Sequence, residues 1–111
     1  MFENLFGSKK YQPITPKEVK EKLDRKDSFL LFDVRNPDEY AGGHLEHSIS
    51  LPLGSLVSHV SKYARSKDAE IVVYCLSGAR SSRAAAELAQ LGYTNIKNMG
   101  GISSWPYAVV R

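Results

Sequence analysis

The apolar run Ile71-Val72-Val73-Tyr74 ends at Cys75, and within a few residues it gives way to an alanine-rich stretch from Arg83 through Leu91. A short apolar run reads as a strand and an alanine-rich one as a helix, so this segment is a strand, a loop and a helix in immediate succession. The same alternation recurs along the chain, which specifies an α/β domain with a mainly parallel sheet. Gln12 to Ile14 reads as a short edge strand. Thr15 is placed as an N-cap, with Pro16 at the first helical position and Glu18 at capping-box spacing, opening a helix to about Lys26. Phe29 to Asp33 reads as a buried strand. Asn36, Pro37 and Glu39 repeat the cap, proline and acid arrangement for a short helix that stops at Gly42-Gly43. Ile49 to Leu51 is a further strand, and Leu56, Val60 and Tyr63 recur at helical spacing within Ser55 to Tyr63. Ile71 to Cys75 is the central strand. Gly92 suits the position after a helix C-terminus, Asn95 to Met99 forms a last strand, and Gly100-Gly101 leads into a short closing helix around Trp105.

With 111 residues, the chain has one core and one domain, so a site lies in a cleft of this unit or at an interface with a partner. The net charge of +3 is spread along the sequence. Lys9, Lys10, Lys17, Lys20, Lys22, Arg25 and Lys26 enrich the first quarter, but Glu18, Glu21, Asp24 and Asp27 interleave with them, which describes a solvated helix face and not a nucleic-acid surface. One cysteine permits no internal disulfide. Together with the absence of a long apolar run or an N-terminal export signal, it points to a cytoplasmic protein with no membrane attachment. Met1 to Lys10 reads as a loosely held terminus.

The chemistry is expected at Cys75. A tight turn through Cys75-Leu76-Ser77-Gly78-Ala79-Arg80-Ser81 into a helix aims successive backbone N–H groups inward, forming a nest that favours negative charge. Helix N-termini and neighbouring cations lower a thiol pKa to about 3.5 to 7.5. Gly78 supplies a backbone conformation that a Cβ hinders, and Arg80 is the neighbouring cation, expected to serve the loop structurally through its guanidinium and to add positive potential. Ser77 and Ser81 are candidates to contact a bound group, with Ser81 assigned mainly to capping the helix. In sheets of this type, residues beyond the carboxyl ends of the strands share one rim, which brings Asp33 and Arg35 towards Cys75. An ion pair or a loop hydrogen bond accounts for those two, with attraction of anionic donors as Arg35's alternative role. His44, His47 and His59 do not make a metal site, Arg83 and Glu87 form a helix-surface pair, and Trp105 is core or cleft wall.

The ordered segments Asp33-Val34-Arg35, Glu39-Tyr40, Gly43-His44-Leu45, Leu51-Pro52, Cys75 to Ser81 and Gly100-Gly101 with Trp105 together resemble a single-domain rhodanese. The resemblance covers about Tyr11 to Tyr107. It implies a rhodanese-like domain over residues 11–111, with a five-stranded, mainly parallel sheet and helices on both faces, after an N-terminal segment at 1–10. It further implies a sulfurtransferase without cofactor. In that chemistry Cys75 takes a sulfane sulfur from thiosulfate or a persulfide, holds it as its own persulfide, and passes it to a thiol, cyanide or a protein acceptor.

Two alternatives stand beside this one: a phosphatase or arsenate-reductase-like enzyme, and a noncatalytic docking or sulfur-relay module. Related phosphatases place one more residue between cysteine and arginine than the four found here, so this smaller ring suits a single sulfur atom. The sequence also departs from the family in two places. Leu76 and Ala79 leave Arg80 as the loop's only charge, which disfavours dianionic thiosulfate and favours a less charged persulfide. His47 stands where the family usually has glycine, which alters the turn after Gly43-His44-Leu45.

Overall fold

The computed structural model of the chain describes residues 10–111, so the terminus expected at Met1 to Lys10 lies outside the described residues except for Lys10. In chain order the elements are β1 (Gln12–Pro13), α1 (Pro16–Asp24), β2 (Leu30–Asp33), α2 (Pro37–Gly42), β3 (Ile49–Ser50), α3 (Leu53–His59), β4 (Ile71–Cys75), α4 (Ala79–Gln90) and β5 (Ile96–Gly101). A 3-10 turn, Val60–Lys62, extends α3, and another, Ile102–Ser104, follows β5. The five strands form one sheet in the order β1-β5-β4-β2-β3, with every ladder parallel.

Alternation along the strands sorts the core into two layers. Phe32, Ile71, Val73 and Cys75 face the side covered by α3 and α4, where Leu56, Val60, Ala84, Ala85 and Leu88 close over them. Leu31, Val72 and Tyr74 face the other side, against Val19 of α1, Leu45 and Met99. Helices therefore cover both faces, and the strand-tip cysteine is presented on the α4 side. Both capping boxes form: Glu18 and Glu39 each reach back to the cap backbone of Thr15 and Asn36.

Several boundaries differ from expectation, four of them for local physical reasons. Helix α4 starts at Ala79 and not Arg83, because Gly78 in a left-handed conformation (φ 115°) serves as its N-cap and the turn needs no further residues. The last strand runs on through Gly100 and Gly101, since a register shift opposite Val73 and Tyr74 absorbs the extra residue. The closing helix is a single 3-10 turn that ends before Trp105. After His59 the helical path tightens to 3-10, so Val60 is buried while Tyr63 stays 41% exposed, edge-on to Phe32. Gly92 does take the expected place after α4, with φ 100°. His47, standing where glycine is usual, adopts φ 67°, and the turn keeps a glycine-like backbone at the cost of a side chain in the left-handed region.

Candidate functional site

The site begins with the fully buried β4, whose last residue pairs with Gly101 of β5. Beyond it the chain turns through Leu76, Ser77 and Gly78 and enters α4, twelve residues long. This turn delivers the Gly78 N–H to Cys75 Sγ at 3.0 Å. The Cys75 S–H donates to Ser81 Oγ at 3.5 Å, and the Ser81 hydroxyl donates to the Gly78 carbonyl at 3.1 Å, with the Gly100 carbonyl a second acceptor at 3.4 Å. Burial raises the thiol pKa. The Ser81 hydroxyl and the backbone N–H groups of Ser81, Gly78 and Arg80 more than offset this and hold it below the ordinary cysteine value.

One expected role changes here. Ser81 does not cap α4, because Gly78 occupies the cap position; being buried in the first turn, Ser81 turns its hydroxyl to the sulfur. The Arg80 side chain is not among the leading influences on the Cys75 pKa, which are burial, the Ser81 hydroxyl and the loop N–H groups. Its Nη1 and Nη2 donate to Glu39 Oε1 at 2.7 Å and Oε2 at 3.1 Å, a two-point ion pair between α4 and α2. Glu39 is thus a member of the site as well as of the α2 capping box. In the sequence it bears the mark of a helix-start acid, and a second partner far along the chain leaves no local signature. The carboxyl answers to both: Arg80 first, then the Asn36 N–H, hold its pKa at about 2.

Leu76 stands 47% exposed at the mouth, and Ser77 and Ala79 are also exposed. The Leu76 carbonyl accepts from the Ser103 N–H at 3.1 Å. Beneath the loop lies Gly101, where a Cβ would meet the Leu76 carbonyl oxygen and would come within 2.8 Å of Ser77 Cα. Gly101 is the seat of the loop, a role that a Gly-Gly pair hinted at only as a turn.

Asp33 and Arg35 are both buried. Arg35 donates to Asp33 through Nε at 2.9 Å and Nη2 at 2.6 Å, and its Nη2 also reaches the Gly43 carbonyl at 2.7 Å. Tyr74 of β4 takes the Leu45 N–H on its hydroxyl oxygen and donates to Ser48 Oγ, both at 3.1 Å. The upstream segments therefore brace the crossover beside β4, and Arg35 is spent inside that brace and not offered to solvent. His44 stacks on Tyr40 at 3.7 Å between centroids, while His47 is exposed. Arg83 and Glu87 form the expected surface pair at 3.2 Å. Trp105 packs on the α1-side layer, edge-on to Tyr107.

Comparison with known proteins adds an independent observation. The family model of the rhodanese-like domain matches residues 15–107. A sulfurtransferase of Allochromatium vinosum is 37% identical over 93 residues, covering 83% of this chain and 85% of that protein. The thiosulfate sulfurtransferase PspE of Escherichia coli is 33% identical over 70 residues, 63% of this chain and 67% of that one. Among solved structures, a rhodanese-related protein from Thermoplasma volcanium superposes with a TM-score of 0.76 at 31% identity, covering 90% of this chain and 98% of the other.

Proposed function

The chain belongs to the rhodanese-like domain family, and from that membership we propose that it is a sulfurtransferase whose Cys75 carries sulfur as a persulfide. The observation that carries the proposal is the sulfur's setting: Sγ accepts the Gly78 N–H at 3.0 Å at the mouth of a twelve-residue helix, with Ser81 beside it. The thiolate attacks the outer sulfur of a donor. A bond forms between Sγ and that sulfur, the donor's sulfur–sulfur bond breaks, and the electron pair leaves with sulfite or a thiolate. An acceptor thiol, cyanide or protein thiol then attacks the outer sulfur of the Cys75 persulfide and returns Cys75 as thiolate. No base has to sit beside the cysteine, since the lowered pKa replaces deprotonation. The loop N–H groups that hold the thiolate also face the charge on the persulfide.

In this mechanism Leu76 lines the approach, Ser77, Gly78 and Ala79 shape the nest, Ser81 answers the sulfur, and Arg80 fixes the loop to α2. Asp33 and Arg35 position the neighbouring crossover. The catalytic unit is residues 11–111, and its working compartment is the cytoplasm, where a lone thiol stays reduced. None of the helices among the described residues is long and apolar enough to cross a membrane. The uncharged Leu76 mouth favours a persulfide with a neutral tail over thiosulfate as the natural donor.

The test incubates reduced protein with thiosulfate and, separately, with a small-molecule persulfide, then follows intact mass and thiocyanate formed on adding cyanide. Wild type gains the mass of one sulfur atom and delivers it to cyanide, and Cys75→Ser does neither. No adduct with either donor rejects the proposal, and Cys75-dependent hydrolysis of an aryl phosphate puts a phosphatase in its place.

A further inference from the structure

Arg80 is the only charged side chain between Cys75 and Ser82, so the guanidinium is the one group of the loop that attracts or ignores a donor's charge. It is close enough to the sulfur for the Cys75 thiolate to stabilise its positive charge. It is also reachable, with 33% of its side chain exposed and 27% of its partner's. Two of its donor nitrogens are nevertheless engaged by the two oxygens of Glu39. Glu39 is itself fixed by the Asn36 N–H at 2.9 Å, so the carboxylate is held in place from its own helix.

We propose that Glu39 determines which donors this site accepts: by cancelling the charge of Arg80 it leaves the mouth of the loop neutral, which admits persulfides with uncharged tails and discriminates against dianionic thiosulfate. The proposal rests on sulfur transfer at Cys75 and adds a specificity-determining residue to it. Two unit charges at contact distance cancel much of each other's field, so removing one of them changes the field at the mouth even after screening. Glu39 touches neither donor nor sulfur and acts through Arg80. Its substitution therefore changes the discrimination between donors more than the reaction with a persulfide whose tail is uncharged.

The experiment compares rates of sulfur loading of Cys75, read by intact mass, for thiosulfate and for 2-hydroxyethyl hydropersulfide. Glu39→Gln keeps an oxygen for one Arg80 N–H and for the Asn36 N–H while removing the charge, and the ratio of thiosulfate to hydropersulfide loading is expected to rise about tenfold, or roughly 1.4 kcal/mol. Raising the salt concentration should then slow thiosulfate loading of the variant more steeply than hydropersulfide loading, a response that loosened packing does not produce. Arg80→Gln supplies the opposite arm: it leaves Glu39 uncompensated, and the ratio falls below that of wild type, which keeps the proposal testable if Glu39→Gln folds poorly. An unchanged ratio in the folded variants, with both donors still loading Cys75, overturns the role of Glu39 and leaves sulfur transfer standing. Failure of wild type to load from either donor overturns both.

Discussion

Ser81 shows how one hydroxyl serves two states of the same sulfur. With the thiol, the Ser81 oxygen accepts the S–H at 3.5 Å and its own hydrogen rests on the Gly78 carbonyl at 3.1 Å. When the thiol ionises, that hydrogen can turn to the sulfur, converting a weak acceptor into a charge-assisted donor, while the Gly78 N–H already points at Sγ. The side-chain bond is the leading influence holding the thiol pKa down against burial, ahead of the backbone bonds. In Ser81→Ala the pH midpoint for alkylation of Cys75 by iodoacetamide should move up by about one pH unit, the equivalent of a single hydrogen bond to a charged group. A midpoint equal to wild type would assign the stabilisation to the backbone alone. Ser81→Cys is uninformative because it adds a second thiol, whereas Ser81→Thr keeps the hydroxyl and should restore much of the effect.

At the scale of elements, the loop is a fit between the end of β4 and the end of β5. Cys75 pairs with Gly101, and the loop backbone lies so close over Gly101 that a methyl there would collide with the Leu76 carbonyl and Ser77 Cα, neither of which is a flexible side-chain end. Gly101→Ala should therefore lift the loop, costing about 1–3 kcal/mol in denaturant unfolding and slowing Cys75 alkylation about tenfold. Gly100→Ala is the control: its Cβ meets nothing within 4 Å, so it costs stability only through its φ of 93° and leaves the alkylation rate near that of wild type. This distinction explains what was legible in the sequence. The β4 run, the two capping boxes and Gly92 are written in local patterns of apolar spacing, caps and turn residues, and each of those elements forms as its pattern requires. The pairing of Arg80 with Glu39, 41 residues away, the tail bridge of Val110 to His44 and the seat at Gly101 are meetings between distant segments. No local period encodes them. The start of α4 was hidden for a smaller reason, because glycine as an N-cap carries no hydroxyl or carboxylate to announce it.

Across the whole molecule, the fold and the reactive sulfur answer to pH through different groups. Glu39, held by Arg80 and then by the Asn36 N–H, titrates at about 2 in the folded chain against 4.5 ordinarily. Glu70 is also lowered: burial pushes its pKa up, but Lys22 at 2.9 Å and Lys97 at 2.6 Å, which clamp it between α1 and β5, outweigh burial. A carboxylate whose folded pKa is depressed binds protons less readily when folded. Its contribution to stability is therefore complete above about pH 4.5 and disappears as pH falls towards 2. Thermal unfolding should hold level from neutral pH to about pH 5 and then decline. Glu39→Gln should flatten part of that decline, by about 1 kcal/mol once the solvent screening of a part-exposed pair is allowed for. The Cys75 thiol is also held below its ordinary value, by the Ser81 hydroxyl and the loop N–H groups against burial, so acidification returns its proton independently of those carboxylates. Sulfur loading should fall with acid, and near-ultraviolet circular dichroism over the same pH range identifies the cause: loading lost while the core signal stays is Cys75 taking up its proton. Coincident transitions would mean that activity fails because the Arg80–Glu39 and Lys22–Glu70–Lys97 clamps release the fold, and not because Cys75 takes up its proton.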